Sequence, residues 1–307
     1  MDLDKAYTCL ESVIALLAIL GNTLVIWVVK LNSAFQTTTC YFITSLALAD
    51  IAVGLVMPMA IVVALDVPLP FEACLFMCCL LVAVTQTSVM SLLTIAVDRY
   101  LRVRFITRYT IITSQKRIQV ALGTVWLLSM LVGFTPIFGW AQNPLSTDYR
   151  NSSKKTCSFT GVMKMEYMVY LSFFVSTLIP LIIMVVLYGK VFCIIRTKLR
   201  QWSTDAGRRR TFYRKEFKTA KYLALILFLF AVCWLPLCIM NCILYFYPAL
   251  KIPKHVWYMG ILLTHSNSAM NPIVYAFKIK KFRETCFQIL RIYILCKDPE
   301  HALNSTS

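Results

Sequence analysis

A few ionisable side chains of this sequence lie inside stretches that are otherwise apolar enough to cross a membrane. Asp50 is part of the segment LALAD and has apolar residues on both sides. An ionisable group at that depth is a candidate functional site, because its charge is costly there. Glu11 lies near the outer end of the first such stretch. It either points into the lipid headgroups or pairs with a cation or imidazole of another helix, for which His265 is the candidate.

A further group of chemical interest ends the stretch from Cys74 to Arg104. Its first 24 residues, Cys74 to Val97, carry no charge, which is enough for a helix to cross a hydrocarbon core of ~30 Å. Asp98-Arg99-Tyr100 follows at once. The polar residues inside the stretch are small and neutral: Thr85, Gln86, Thr87, Ser88, Ser91 and Thr94. Such a polar side must face other helices or water, which predicts a central helix with an arginine switch at one end.

The elements that must position these groups are predicted from composition. Hydrophobic residues make up 59% of the 307 residues and charged residues only 15%, which excludes an ordinary soluble domain. Six further stretches resemble the first in length and polarity: Leu10–Leu31, Tyr41–Leu65, Ile118–Trp140, Tyr167–Gly189, Tyr222–Tyr247 and Val256–Phe277. The sequence therefore predicts an all-α integral membrane protein, with residues 1–307 forming a single domain, a bundle of seven transmembrane helices.

The basic residues predict the orientation of the bundle. Of the 31 Lys and Arg residues, 24 fall on one side of the predicted membrane. Because short cytoplasmic loops are enriched in Lys and Arg, that side is predicted to be cytoplasmic. Residues 1–9 are then an extracellular N-terminus, and residues 278–307 are cytoplasmic. The net charge of +17 is thus explained by orientation and lipid contact, and we expect no nucleic acid partner.

Two features of the outer loops agree with this orientation. Cys74 and Cys157 are both predicted in an oxidising compartment, so we expect a disulfide between the loop before the fifth span and the top of the third. Asn151-Ser152-Ser153 is an N-glycosylation sequon in the same loop. Cys9 lies at the edge of the first span, and its state is left open.

The C-terminal half of the sequence predicts a kinked helix and a helix on the membrane surface. Pro236, in Cys233-Trp234-Leu235-Pro236, removes one backbone hydrogen bond, which predicts a kink near residues 232–234. The segment KIKKFRETCFQILRIYIL separates basic from apolar residues, which predicts a short amphipathic eighth helix on the inner membrane surface. Cys296 is a candidate for palmitoylation.

Other classes of membrane protein fit the pattern less well. A transporter or channel would be favoured by an inverted repeat or a chain of charged groups, but the spans are unrelated and only one acid lies at mid-membrane. An ion-flux assay would separate the classes. An enzyme is disfavoured, because the sequence shows no pairing of a nucleophile with a base and no metal-ligand cluster.

The motifs together resemble those of class A, rhodopsin-like G-protein-coupled receptors. The resemblance rests on Asp98-Arg99-Tyr100, on Cys233-Trp234-Leu235-Pro236 and on Asn271-Pro272-Ile273-Val274-Tyr275, and it covers all seven spans. Asn22, Asp50, Trp126, Pro180 and the pair of Cys74 and Cys157 agree with it. Leu81 replaces the carboxylate of aminergic receptors and His265 replaces the retinal lysine of opsins, which disfavours both classes.

Within that class the sequence is similar to the adenosine receptors. The similar segments are LALADIAVG, VTQTSVMSLLTIAVDRYLRV, MEYMVYLSFF, WLPLCIMNCI and THSNSAMNPIVYAFKIKKF. Thr160 and Cys238 favour the third subtype, since other subtypes have glutamate and histidine there. Gln86 and Thr264 are departures typical of the first and second subtypes, so another subtype or a purine-related class A receptor stays open as an alternative.

The resemblance implies a ligand site for extracellular adenosine. Asn241 would read adenine, accepting from its exocyclic amine and donating to N7, as Asn reads adenine in DNA. Phe159 would stack on the purine, and Leu237, Met168 and Ile261 would line the pocket. The ribose hydroxyls would meet Thr85, Thr264 and His265, with Glu11 behind His265. Ribose contact would then shift Trp234 and move the kinked sixth span outward.

The resemblance also implies an allosteric sodium site and an inner switch. Sodium would bind among Asp50, Ser88, Trp234, Asn267 and Asn271 and favour the inactive arrangement; no other cofactor is expected. The switch residues would be Asp98, Arg99, Tyr100, Tyr188, Glu216, Pro272 and Tyr275. Arg99 would pair with Asp98 and with Glu216, and opening of the second pair would admit a G protein. The expected function is a plasma-membrane receptor that acts through the inhibitory class of heterotrimeric G protein and lowers adenylyl cyclase activity.

Overall fold

A computed structural model describes residues 2–31, 38–106, 108–142, 156–201, 207–278 and 280–289. The predicted glycosylation site Asn151 and the predicted palmitoylation site Cys296 lie outside these residues. Within them the chain forms eight principal helices, whose bounds are α1 Leu3–Leu31, α2 Thr38–Ala64, α3 Phe71–Arg104, α4 Gln115–Phe134, α5 Tyr167–Gln201, α6 Arg208–Phe246, α7 Lys254–Lys278 and α8 Lys280–Ile289. Short helical turns at Tyr109–Ile112, Thr135–Phe138 and Phe159–Val162 complete the helices in the described part.

Six of these helices, α1 to α6, are long and apolar enough to cross a membrane by length and composition. The helix α7 has 25 residues and carries more polar side chains, which lowers its hydropathy. Several of those polar groups are buried against neighbouring helices: Thr264, His265, Asn267, Ser268 and Asn271. Thus α7 has the length of a span and faces protein with much of its polar side.

The helices form a closed bundle around α3. Helix α1 packs on α2 and α7, α2 packs on α3, and α3 contacts α4, α5 and α6. Helices α3 and α4 come close together at Gly133, where an added Cβ would lie 2.4 Å from the Cβ of Ala83. Only a small residue allows two helices to come so near. This position therefore fixes α4 against the central helix.

The observed helices extend beyond several of the predicted spans. Helix α1 begins at Leu3, so residues 3–9, predicted as part of a tail, are helical, and α6 begins at Arg208 rather than near Tyr222. Backbone hydrogen bonding continues a helix past the membrane, whereas hydropathy detects only the apolar part. In contrast, α4 ends at Phe134 and continues as a 3₁₀ turn through Pro136, because proline offers no N–H.

Two prolines free backbone carbonyls that neighbouring helices then bind. Pro180 in α5 cannot donate to the carbonyl of Ser176, four residues earlier, and Gln86 of α3 donates its Nε2–H to that oxygen. Pro272 in α7 likewise frees the carbonyl of Ser268, and Asn22 of α1 donates to it over 2.9 Å. Residues 167–178 of α5 have π-helical bonding. Each break is thus tied to an adjacent helix.

The predicted eighth helix is confirmed. In α8, Phe282, Cys286 and Ile289 are buried, whereas Arg283 and Glu284 are exposed. Phe282 lies 6.0 Å, centroid to centroid, from the ring of Tyr275 in α7. Helix α8 is therefore amphipathic and its apolar side packs on the inner end of the bundle.

Candidate functional site

Asp50 is the centre of a buried polar site between α2, α3 and α7. Its side chain is fully buried. Ser88 donates its hydroxyl to Oδ1 of Asp50 over 2.9 Å, and Asn271 donates its amide to Oδ2 over 2.7 Å. The structure therefore brings together three of the residues predicted to hold sodium. Asn267 and Trp234 lie on the adjoining helices α7 and α6, Asn267 buried and Trp234 half-buried.

The donor set at this site fits a hard cation. Two buried oxygen atoms near it have no hydrogen-bond partner: Oγ of Ser91, one turn after Ser88 on α3, and Oδ1 of Asn22, whose amide binds Ser268 of α7. Hard cations bind carboxylate, hydroxyl and amide oxygens. The indole Nε1 of Trp234 is also buried without a partner. The arrangement can accommodate a cation or water among oxygen ligands.

The predicted pairing of Glu11 with His265 is present in the structure. Nδ1–H of His265 donates to Oε1 of Glu11, and both side chains are buried between α1 and α7. The second carboxylate oxygen of Glu11 has no partner, nor has the hydroxyl of Tyr7 one turn earlier. The Tyr7 ring stacks on Tyr258 of α7 at 4.1 Å. Glu11 therefore holds a buried acceptor oxygen that no hydrogen bond uses in this structure.

The two predicted threonines already use their hydroxyl protons within the bundle. Thr85 donates to the carbonyl of Leu81 over 2.7 Å. Thr264 lies 2.9 Å from the carbonyl of Gly260 and 3.3 Å from that of Cys233 in α6. Each hydroxyl oxygen still has lone pairs, so each can accept a hydrogen bond from a ligand but can donate only by giving up a backbone bond.

The predicted adenine residues lie on the outer halves of α5, α6 and α7 and on the loop before α5. Phe159 and Met168 are half-buried and pack on the hydrophobic cluster that contains Cys157. Leu237 approaches Gly260, whose neighbour is Ile261; a Cβ on that glycine would lie 3.6 Å from Cδ1 of Leu237. Asn241 follows Leu237 by one turn and is half-buried. Side chains from all four segments thus lie at the same end of the bundle.

The loop that carries Phe159 is fixed by a disulfide and by backbone bonds. The predicted disulfide between Cys74 and Cys157 is present. The N–H of Cys157 donates to the carbonyl of Val67 over 2.9 Å. Phe159 begins a single helical turn, which is capped where the Ser158 hydroxyl accepts from the N–H of Gly161 over 3.2 Å. The disulfide therefore positions Phe159 relative to α3.

At the inner end, Arg99 is held in a buried ion-pair network. It lies 3.7 Å from Asp98 and 3.2 Å from Glu216 of α6, the two pairs predicted for it. Arg102 binds the other oxygen of Glu216 over 3.0 Å, and Tyr109 donates its hydroxyl to Asp98 over 2.6 Å. The network ties α3 to α6, which is the closed arrangement of the predicted switch.

The remaining switch residues are distributed around this network. Tyr188 and Tyr275 are buried in one hydrophobic cluster, and the hydroxyl of Tyr275 has no partner. Tyr100 packs with Tyr213 of α6 in a smaller cluster at the inner end. A cavity of about 320 Å³ opens beside it, with Arg104, Arg108 and Lys198 among its lining residues. This cavity at the inner end of the bundle is thus lined by cationic groups.

Three participants of these sites were not predicted from the sequence. Arg102 shares the face of Arg99 at a spacing of three residues, a signal that could have identified it. Tyr7 is one turn from Glu11, and the same rule applies. Tyr109 belongs to a short turn whose position relative to Asp98 depends on the folding of the intervening loop, for which the sequence gives no signal.

The sequence is similar to one protein family along most of its length. The profile of that family, "7 transmembrane receptor (rhodopsin family)", matches residues 21–275. The matched range runs from within α1 to within α7 and so includes the helix of lower hydropathy. This similarity agrees with the closed bundle and with the class predicted from the motifs.

Three individual relatives show to which receptors within that family the sequence is similar. Adenosine receptor A3 of Canis lupus familiaris is 55% identical over 304 residues, which cover 99% of this chain and 96% of the relative. Adenosine receptor A3 of Ovis aries is 56% identical over 292 residues, covering 95% and 91%. Adenosine receptor A3 of Bos taurus is also 56% identical over 292 residues, again covering 95% and 91%. The resemblance predicted from the sequence motifs, including that to the third subtype, is confirmed.

Proposed function

The chain belongs to the rhodopsin family of seven-transmembrane receptors and, within it, to the adenosine receptors, and we propose that it binds adenosine at the plasma membrane and signals through the inhibitory class of G protein. The observation that carries the proposal is the identity of 55% to an A3 receptor over 99% of the chain. In this proposal the N-terminus is extracellular, and the inner network of Arg99 and Glu216 faces the cytoplasm.

The adenine ring is recognised by residues at the outer end of the bundle. Asn241 accepts from the exocyclic amine with its carboxamide oxygen and donates to N7 with its carboxamide nitrogen. Phe159 stacks on the purine face, since its capped turn and the neighbouring disulfide fix its position. Leu237, Met168 and Ile261 exclude water, which strengthens the polar contacts.

The ribose is recognised by the pair of Glu11 and His265. The unpartnered oxygen of Glu11 supports this role, because a buried acceptor gains most from a ligand hydroxyl. Thr264 accepts a further ribose hydroxyl and already contacts the backbone of Cys233 in α6. A ribose at this depth therefore acts on α6 just before Trp234, whose indole N–H lacks a partner.

The residues that would hold an allosteric sodium ion are Asp50, Ser88, Trp234, Asn267 and Asn271. A bound cation would supply the counter-charge for a fully buried carboxylate. The hydrogen bonds from Ser88 and Asn271 already fix that carboxylate between α3 and α7. These hydrogen bonds keep α2, α3 and α7 at a fixed separation, which favours the closed arrangement at the inner end.

Coupling follows from the two arrangements of the inner network. In the closed arrangement, Glu216 binds both Arg99 and Arg102. Outward movement of α6 separates Glu216 from α3 and exposes cationic groups to the C-terminal helix of the G protein. Adenosine and G protein each bind the open arrangement better, so each raises the affinity of the other.

The test is displacement of a radiolabelled adenosine analogue from membranes that contain the receptor. Adenosine should displace the label, and a guanine nucleotide should lower agonist affinity by uncoupling the G protein. Cyclic AMP should fall on adenosine addition, and a toxin that inactivates the inhibitory G proteins should abolish the fall. A rise in cyclic AMP would refute the inhibitory class while leaving adenosine binding intact.

Two modifications belong to the same proposal. Asn151 is glycosylated on the extracellular side, and Cys296 is palmitoylated on the cytoplasmic side. Glycosidase treatment should increase the electrophoretic mobility of the chain, and Asn151→Gln should remove that change. Metabolic labelling with a palmitate analogue should be lost in Cys296→Ser, and failure of either result would refute the corresponding site.

A further inference from the structure

A third cysteine lies against the disulfide that fixes the outer loop. The sulfur of Cys78 and those of Cys74 and Cys157 all lie within 4.8 Å of one another. All three residues are fully buried, and Cys78 is a free thiol. Because two of the sulfurs are bonded to each other, the group is a disulfide with a neighbouring thiol and not a metal site.

The position of Cys78 follows from the geometry of α3. It is four residues after Cys74, so the two side chains lie one above the other on one face of the helix. Cys79, the next residue, is equally buried and free, but the three-sulfur group does not include it. The chain thus offers two neighbouring thiols in the same helix, of which only Cys78 adjoins the disulfide.

We propose that Cys78 is a second disulfide partner for Cys157. The thiolate of Cys78 attacks Sγ of Cys157, a Cys78–Cys157 bond forms, and the Cys74–Cys157 bond breaks. The electron pair leaves on the sulfur of Cys74, which takes up the proton that Cys78 released. One disulfide replaces another, so the step requires neither an oxidant nor a reductant.

Burial determines when this exchange takes place. Only a thiolate attacks a disulfide, and an apolar environment keeps a thiol protonated. While the three sulfurs stay buried, the Cys74–Cys157 bridge therefore persists. The exchange takes place when water reaches the three sulfurs during maturation of the loop, and it gives the outer loop two points of attachment on α3. When Cys74 is absent there is no disulfide to attack, and the Cys78–Cys157 bond forms instead by oxidation of the two thiols by a disulfide-donating oxidoreductase during maturation.

The second attachment should alter the loop in a defined way. Cys78 lies one turn deeper along α3 than Cys74, and its sulfur is already within 4.8 Å of that of Cys157, so a bridge to Cys78 draws Cys157 inward by less than one helical turn. This movement strains the hydrogen bond from the Cys157 N–H to the carbonyl of Val67. Phe159, two residues away, then shifts with the loop. We expect a folded receptor with weaker ligand binding, an expectation that rests on the proposed adenosine site.

The experiment maps disulfides in the full-length chain isolated from the cell surface. Free thiols are alkylated, the chain is digested without reduction, and bridged peptides are identified by mass. Cys74→Ser should contain a Cys78–Cys157 bridge. Cys74→Ser/Cys78→Ser should lose the bridge, whereas the matched control Cys74→Ser/Cys79→Ser should keep it. This readout does not depend on adenosine.

The result that overturns the proposal is alkylation of both Cys78 and Cys157 in surface Cys74→Ser. If the Cys74→Ser variant does not reach the cell surface, disulfide mapping of the wild-type chain tests the proposal instead. Membranes are treated briefly with dithiothreitol and reoxidised by air, then mapped. A Cys78–Cys157 bridge should accompany the original one, and return of only the Cys74–Cys157 bridge would overturn the proposal. Adenosine binding that failed with correct bridges would refute the ligand site alone.

Discussion

Replacement of Glu216 by glutamine tests whether the inner network holds the receptor inactive. Glu216 is an acid between two cations: it lies 3.2 Å from Arg99 and 3.0 Å from Arg102. Glutamine has almost the same shape and can still accept one hydrogen bond, but it has no charge. The substitution therefore removes the electrostatic part of the contact between α3 and α6 with little change in packing.

The expected size of the effect follows from burial. The side chain of Glu216 is 5% exposed and that of Arg99 is 7% exposed, so their contact is not screened by solvent. A hydrogen bond to a charged group contributes about 1.5–3 kcal/mol, and the remaining pair of Arg99 with Asp98 favours the lower value. A loss of about 1.5 kcal/mol shifts the balance between closed and open arrangements roughly tenfold.

Arg102 should contribute less to the same balance. Its side chain is 25% exposed, and partly exposed ion pairs contribute about 0.2–1 kcal/mol. Arg102→Gln should therefore shift the balance about twofold. The ranking of the two variants, Glu216→Gln above Arg102→Gln, distinguishes a buried lock from a general effect of charge at the inner surface.

The assay is nucleotide exchange on the G protein in membranes without any agonist. Receptor numbers are equalised by antagonist binding, and Glu72→Gln, an exposed acid at the other end of α3, is the matched control. Basal exchange should rise roughly tenfold in Glu216→Gln, and the control should match the wild type. Equal basal exchange in Glu216→Gln and wild type would show that this network does not hold α6.

Three shorter predictions concern the middle and outer parts of the bundle. Asp50→Asn should leave antagonist binding nearly intact and abolish the effect of added sodium on agonist affinity; unchanged sodium sensitivity would place the ion elsewhere. Asn241→Ala should lose about 1–3 kcal/mol, roughly 5- to 150-fold in adenosine affinity, and should prefer adenosine no more than a purine without the exocyclic amine. Glu11→Gln should weaken adenosine binding more than adenine binding, and an equal loss of both would assign Glu11 to structure alone.

The arrangement of spans was predictable because a membrane constrains sequence strongly. Uncharged stretches and the placement of Lys and Arg identify the helices, including α7, whose polar residues lower its hydropathy. The helix ends were less predictable. Nothing in the polar sequence after Arg208 distinguishes a helix from a loop, so the inner extension of α6 emerges only from the fold. The Glu216 contact lies in that extension.

The sites differ in how far the sequence predicts them. The pair of Glu11 and His265 could be predicted from the sequence, because two ionisable groups at similar depth in apolar helices have few other partners. The hydrogen bond from Tyr109 to Asp98 depends on the path of a loop. The contact of Cys78 with the disulfide was not predicted, because no residue spacing predicts the position of Cys157 on α3.

The central helix connects the three sites without being able to bend. Helix α3 has 34 residues, about 51 Å at the usual rise, and contains neither Pro nor Gly. It carries the disulfide at Cys74, Ser88 of the proposed ion site in the middle and Arg99 at the inner end. A rigid rod of this kind fixes the distances between sites, so a change in one must reach the others through helices that can deform.

The prolines indicate which helix deforms. The carbonyl freed by Pro180 in α5 binds Gln86, and the one freed by Pro272 in α7 binds Asn22. In α6, Pro236 frees the carbonyl of Val232, and among the described residues no side chain from another helix donates to it. Unlike the breaks in α5 and α7, the break in α6 is not tied at the freed carbonyl itself; Thr264 of α7 lies 3.3 Å from the next carbonyl, that of Cys233. Pro58 in α2 also lies within a helix, but α2 carries no residue of the inner network. Since α6 also carries Glu216, we propose that bending at Pro236 opens the inner network when a ligand binds above it.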